Sequence, residues 1–173
     1  TRRSSDLVLF LSFAKLGLCF SRETCIIVNI HNPLPRRQEH KESGGIRMKR
    51  LLFIYNPQAG KGIVKNHLAN IVDIFTKADY LVTVWPTQGK EDATRVAARQ
   101  GWWYDRVVCC GGDGTLSETV SGLLTLETPP VLGYLPAGTT NDFSRNLGLP
   151  RGLEKAALTA VEGTPRPCDM GRF

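Results

Sequence analysis

The sequence has no Cys-x-x-Cys pair, and its five cysteines are odd in number. That pattern argues against a disulfide framework and a zinc site, and a reducing cytoplasm is the simplest compartment. There is no Gly-x-x-x-x-Gly-Lys-Ser/Thr stretch, so the usual phosphate-binding loop is absent, and no Gly-x-Ser-x-Gly to suggest triad hydrolysis. The apolar run from Leu7 to Phe20 is broken by Lys15 and falls short of the ~20 residues that span a membrane. One-sided charge is lacking too. The net charge is +6, but residues 1–47 hold eight Lys/Arg against four Asp/Glu, and residues 48–173 hold fourteen against twelve. So nearly balanced a main body gives nucleic-acid binding little support.

What is present is an ordinary globular composition, 42% hydrophobic and 22% charged over 173 residues, enough for one full domain. Residues 1–47 differ in character from the rest of the chain. Residues 31–47 are polar and punctuated by Pro and Gly, the composition of a disordered linker. The first methionine is Met48, directly before the first strong strand signal. The expectation is that Met48 is the natural start and residues 1–47 a leader without function, with a membrane-tethering leader as the alternative.

From Met48 onward short apolar runs alternate with helical periodicity. Strands are predicted over Leu51–Tyr55, Tyr80–Trp85, Asp105–Cys110 and Val131–Leu135, and helices over Ile63–Ala78, Glu91–Gln100, Leu116–Leu126 and Leu153–Val161. Leu116, Val120, Leu123 and Leu124 share one helical face, while Cys109 and Cys110 sit in a strand as small hydrophobes. This alternation predicts an α/β fold with a doubly wound parallel sheet. Ligands of such sheets bind at the carboxyl ends of the strands. Three glycine-bearing loops, at 56–62, 111–115 and 136–142, fall at that edge, so they are expected to build one site.

The central loop carries Gly111-Gly112-Asp113-Gly114-Thr115-Leu116-Ser117-Glu118. Part of it has a structural explanation, because Thr115 and Glu118 have the spacing of a capping box. The stretch also lacks the third glycine of the dinucleotide fingerprint. Asp113 is the informative residue: a carboxylate beside phosphates is repulsive unless a cation or hydroxyl intervenes, which points to a nucleotide and Mg²⁺. Together the loops offer Asn56, Gly60, Lys61, Thr87, Asp113, Thr115, Glu118, Thr139, Thr140, Asn141, Asp142 and the later Asp169, but no histidine. Glycine backbone, hydroxyls and carboxylates suit phosphoryl transfer, which needs positioning and charge neutralisation more than covalent chemistry. Each residue also has a plainer role open to it, as turn former, helix-terminal charge or solvated side chain. Trp102 and Trp103 have no basic cluster around them and suit packing or a rim.

Asn-Pro-Gln-Ala-Gly-Lys-Gly from Asn56, Gly-Gly-Asp-Gly-Thr-Leu-Ser-Glu from Gly111 and Pro-Ala-Gly-Thr-Thr-Asn-Asp-Phe from Pro136 occur in that order. Their order and spacing resemble the catalytic domain of the diacylglycerol kinase family, in its bacterial lipid kinase branch, related to sphingosine kinases and NAD kinases. The resemblance runs from about Lys49 to Phe173. It implies an ATP-binding domain over residues 48–173, followed in the family by a β-rich second domain that this sequence does not contain. By resemblance Asn56, Pro57, Gln58, Ala59, Gly60, Thr87, Gly111, Gly112, Asp113, Gly114, Thr115, Leu116, Ser117, Glu118 and Thr139 would line the ATP site. Asp113, the catalytic candidate, would join Asp142 and Asp169 in an acidic network linked to Mg²⁺. The general base is expected in the second domain. Ser117 and Ser121 stand where the bacterial branch often has Asn.

The activity so implied is transfer of the γ-phosphate of ATP to the hydroxyl of diacylglycerol or a similar lipid, by a cytoplasmic enzyme peripheral at the membrane. The chain by itself is expected to be inactive, and a homodimer is possible, since a lone half would expose its sheet edge. An NAD kinase-like enzyme and a non-catalytic nucleotide-binding module are the alternatives. The Pro-x-Gly-Thr-Thr-Asn-Asp-Phe stretch speaks against the first of these.

Overall fold

The computed structural model describes residues 48–166 and 168. The expectations for residues 1–47 and for Asp169 therefore lie outside the described residues. Four strands, β1 (Lys49–Tyr55), β2 (Tyr80–Pro86), β3 (Arg106–Gly111) and β4 (Val131–Pro136), form one sheet in the order β2-β1-β3-β4. All three pairings are parallel, with Tyr55 opposite Pro86 and Cys110, and Gly111 opposite Pro136. The helices are α1 (Ile63–Lys77), α2 (Asp92–Gln100), α3 (Asp113–Leu123), α4 (Asp142–Asn146) and α5 (Leu153–Glu162).

Side chains of a strand alternate between faces, and here both faces are covered. Leu51, Phe53 and Tyr55 join Val64, Ile71 and Phe75 of α1 and Ala156, Ala157 and Ala160 of α5. Leu52, Ile54, Val107 and Cys109 join Val96 and Ala97 of α2 and Leu116, Val120 and Leu123 of α3. This explains the uninterrupted apolar runs of β1 and β3, which water touches on neither side. His67 of α1 stands 2.5 Å from the carboxylate of Glu154, tying α1 to α5. Burial raises the thiols of Cys109, to about 12, and of Cys110, so both behave as apolar side chains.

Two local expectations are corrected. The central helix starts at Asp113, not Leu116, with Gly112 in an extended conformation as its N-cap and no side-chain cap bond. Thr115 and Glu118 therefore lie inside the first turns and form no capping box. Thr115 is instead buried against Gly111, where a Cβ would stand 2.4 Å from its Oγ1. Leu124 lies beyond the end of α3 and is exposed, so it does not share the buried face of Leu116, Val120 and Leu123. Trp102 and Trp103 are half-exposed on a 3-10 turn after α2, packed edge to face against each other.

Candidate functional site

In a sheet of order β2-β1-β3-β4 the chain turns one way after β1 and the other way from β3. The crevice between their carboxyl ends is then the natural ligand position. Backbone bonds carry the ladder past the strand ends: Asn56 N–H donates to Cys110 O at 2.9 Å, Thr87 N–H to Tyr55 O at 2.9 Å and Ala137 N–H to Gly111 O at 2.8 Å. These three bonds pin the loops after β1, β2 and β4 to one edge.

Each loop is also shaped from within. Asn56 Oδ1 accepts the N–H of Gln58 at 2.9 Å, an Asx turn that bends the chain directly after β1. Gly60 has φ +56, and a Cβ there would meet Ala137 O at 2.5 Å, so only glycine fits against the third loop. Asn141, itself at φ +49, closes a ring on Gly138, accepting its N–H at 2.8 Å and donating to its carbonyl at 2.5 Å. Tyr134 donates to Gly111 O at 3.1 Å, and burial raises its phenol, which keeps it a donor. Asp92, nearly fully buried, accepts the N–H of Gln88 at 2.9 Å and of the Trp85 ring at 3.4 Å and also pairs with Arg95. Arg95 holds the Asp92 carboxyl below the usual carboxylate range despite the opposing effect of burial.

The loops enclose an open cavity of about 740 Å³. Of the residues expected from the sequence, Asn56, Pro57, Gln58, Ala59, Gly60, Thr87, Gly112, Gly114, Thr115, Glu118 and Thr139 line it. Gly111, Asp113, Leu116 and Ser117 do not. Gly111 ends β3 behind the wall, and Leu116 turns into the core between the sheet and α2. Ser117 accepts a bond from the Ser121 hydroxyl through its carbonyl. Asp113 sits just outside the lining, its carboxylate receiving the N–H groups of Asp142 at 3.0 Å and Phe143 at 3.4 Å. Lys65, Gln88, Gly89, Lys90 and Gly138 line the cavity without having been expected. Lys65 carried a legible signal, a cation in the first turn of a helix that has no acidic residue there.

The helices α1 and α3 both begin at this cavity without a side-chain cap; Ile63 N–H, the first of α1, donates to Gly60 O, so it is the start of α3 that best presents N–H groups to an anion. Among the described residues no three His, Cys, Asp or Glu side chains cluster as a metal shell. Of the residues that the family resemblance links to Mg²⁺, Asp113 meets Asp142 through that residue's backbone N–H and not through its carboxylate. The side chain of Asp142 is exposed, with Arg145 4.0 Å away.

Comparison with known proteins agrees with this geometry. The profile of the diacylglycerol kinase catalytic domain matches residues 50–173. A diacylglycerol kinase of Bacillus subtilis (strain 168) is 44% identical over 127 residues, which make up 72% of this chain and 42% of that protein. One from Staphylococcus aureus (strain Newman) is 38% identical over 126 residues, 72% of this chain and 40% of that protein. A crystal structure of a diacylglycerol kinase from Bacillus anthracis (strain Sterne) matches with a TM-score of 0.59 at 36% identity, over 66% of this chain and 39% of that one. The chain thus spans about two fifths of the length of these relatives.

Proposed function

The chain belongs to the diacylglycerol kinase catalytic-domain family, and on that premise we propose that it binds ATP in the cleft between β1 and β3 as the nucleotide-binding part of a lipid kinase. The phosphate acceptor in this reading is the hydroxyl of diacylglycerol or a similar lipid. One observation carries the proposal: three loops distant in sequence converge at the switch point of the sheet and bring two helix starts without side-chain caps to one cavity.

The roles of the residues follow from their placement. The start of α3 at Gly112–Thr115 offers backbone N–H groups to phosphate oxygens, while the Asn56–Gly60 turn, whose Asn56, Gln58 and Ala59 N–H groups are already bonded, shapes the facing wall. Thr87 and Thr139 stand on opposite loops, where their hydroxyls can orient the nucleotide. Asp113, Asp142 and Asp169 would hold Mg²⁺, the last of them outside the described residues. When bound, Mg²⁺ would neutralise charge between the phosphates and these carboxylates. Glu118 is the one carboxylate lining the cleft among the described residues. The base that takes the proton of the lipid hydroxyl is proposed to come from the β-rich domain implied by the family resemblance. Among the described residues no helix is long and apolar enough to cross a membrane, and a lipid acceptor calls for peripheral contact with the bilayer surface.

The test is a phosphorylation screen of the complete protein with Mg²⁺ and ATP against diacylglycerol, sphingosine-like bases, phosphatidylglycerol and NAD. Calorimetric titration of ATP and NAD accompanies it. Lipid phosphorylation with tighter binding of ATP is expected. Phosphorylation of NAD instead of any lipid would overturn the reading, as would tighter binding of NAD.

A further inference from the structure

We propose that Lys65 and Lys90 are the cations that hold the terminal phosphates of the nucleotide, an inference that rests on the nucleotide reading of the cleft. They are the two cationic side chains lining it among the described residues, and they arrive from different elements. Lys65 stands in the first turn of α1, and Lys90 stands in the loop between β2 and α2. Lys61, the lysine within the first glycine loop, is exposed and does not line the cavity.

Two features make this more than a pair of surface lysines. The first turn of α1 has neither an acidic residue nor a side-chain cap, so Lys65 adds its charge to the positive end of a 15-residue helix. A cation there is opposed by the helix dipole, and a bound anion removes the conflict. Lys90, for its part, is carried by a braced loop. Gln88 donates its side-chain amide to Pro86 O at 2.9 Å and its N–H to the buried Asp92 carboxylate. Glu91, the next residue, is held at φ +65, which non-glycine residues seldom adopt. The loop therefore presents Lys90 from a defined place.

The charge of the cleft is divided as a result. Cations enter from α1 and from the β2–α2 loop, while Glu118 enters from α3. An uncharged nucleoside gains nothing from the cationic side, whereas every added phosphate does. The two lysines thus make the cleft selective for the number of phosphates on the nucleotide.

Calorimetric titration of the full chain with ATP, ADP, AMP and adenosine, for the wild type, Lys65→Ala, Lys90→Ala and the double variant, tests this. Each single change should weaken ATP binding by about threefold to fivefold, the scale of one exposed ion pair, and leave adenosine unchanged. The double variant should lose most of the preference for ATP over AMP, and Lys→Arg at both sites should restore it. Raising the ionic strength should erode ATP binding more in the wild type than in the double variant. Both lysines are exposed, and Lys65 opposes the dipole of α1, so neither change should lower the melting temperature. A double variant with an unchanged ATP-to-AMP ratio overturns the inference and leaves the nucleotide reading intact. Equal losses for ATP and adenosine also overturn it. A wild-type chain that binds none of the four ligands takes down the nucleotide reading as well.

Discussion

The carboxylate of Asp113, in the first turn of α3, accepts the backbone N–H of Asp142 at 3.0 Å, and so bridges the second and third glycine loops. Phe143 N–H lies 3.4 Å from the other oxygen, so the same carboxylate receives two of the free donors that open α4. Asp113 is therefore a helix cap across loops as well as the candidate Mg²⁺ ligand. Its substitutions should separate the two roles.

Asp113→Ala removes both acceptors and should cost about 1–2 kcal/mol, the usual loss for a helix cap. Hydrogen exchange at Asp142 and Phe143 should quicken first. Asp113→Asn keeps one acceptor oxygen and should cost less stability, yet in the complete enzyme it should lower kcat by about 10²-fold, the scale of losing one preorganised electrostatic group. Denaturation and turnover measured on one preparation decide between them. Near-normal turnover of Asp113→Asn would reduce the residue to its capping role.

Gly138 and Gly114 should respond to alanine in opposite ways. A Cβ on Gly138 would stand 2.6 Å from the Cα of Gly112 and 2.7 Å from Asn141 Oδ1, so backbone must move. Gly138→Ala should destabilise by about 1–3 kcal/mol and weaken nucleotide binding. A Cβ on Gly114 meets nothing within 4 Å, and the residue lies within α3. Gly114→Ala should leave stability equal or raise it by about 0.5–1 kcal/mol. It should still weaken binding, because the methyl group enters the cavity wall. Urea denaturation beside calorimetry separates the two, and loss of stability in Gly114→Ala would contradict this geometry.

Asp92 gives the protein an acid-sensitive brace. Its carboxyl is held down chiefly by Arg95, with help from the Gln88 N–H and the Trp85 ring. A group whose acidity is strengthened on folding stabilises above its unfolded pKa, about 3.9 for Asp, and loses that contribution as the pH falls through the lower folded value. The stability gap between wild type and Asp92→Asn should be widest at neutral pH, about 1–3 kcal/mol, and should close below about pH 4. Melting curves across that range check the sign. A gap that widens on acidification would be incompatible with a depressed carboxyl.

Cys109 and Cys110 should be inert in the folded state, since both are fully buried in β3 and burial pushes their thiols up. Maleimide labelling near pH 7.5, followed by peptide mass analysis, should find neither modified until denaturant is added. Labelling of either at the rate of a free thiol would show that β3 opens without global unfolding.

Much of this fold was legible in the chain itself. Strand and helix identities rest on local periodicity, and those of β1 to β4, α1, α2 and α5 were found within a residue or two. Gly60 and the Asn56-Pro57 turn were legible because the backbone conformation they impose is local. Of the short α4 only the strand-to-helix turn ending at Asp142 was legible; its extent was not, because Asp142–Asn146 has too few residues for a periodic signal and is held by a carboxylate from Asp113, 29 residues earlier. The start of α3 was misplaced for a related reason. Thr115 has the spacing of a cap, but the tight packing at Gly111 uses its side chain as a wedge.

Only the tertiary structure decided the order β2-β1-β3-β4, because parallel pairing joins residues far apart in sequence and leaves no periodic trace. That order puts Gly112 against Gly138 and gathers Asn56, Thr87 and Thr139 around one cavity. It also admits Lys65, whose sequence signal was only a cation in a first helical turn, and Lys90, which looks like an ordinary solvated lysine. What they face is set by crossover geometry, not by their neighbours along the chain. The sequence by itself determined which loops could hold a phosphate, through their glycines, hydroxyls and carboxylates. The tertiary structure decided which of those groups line the cavity and which, like Asp113, lie off its lining and bridge the loops that form it.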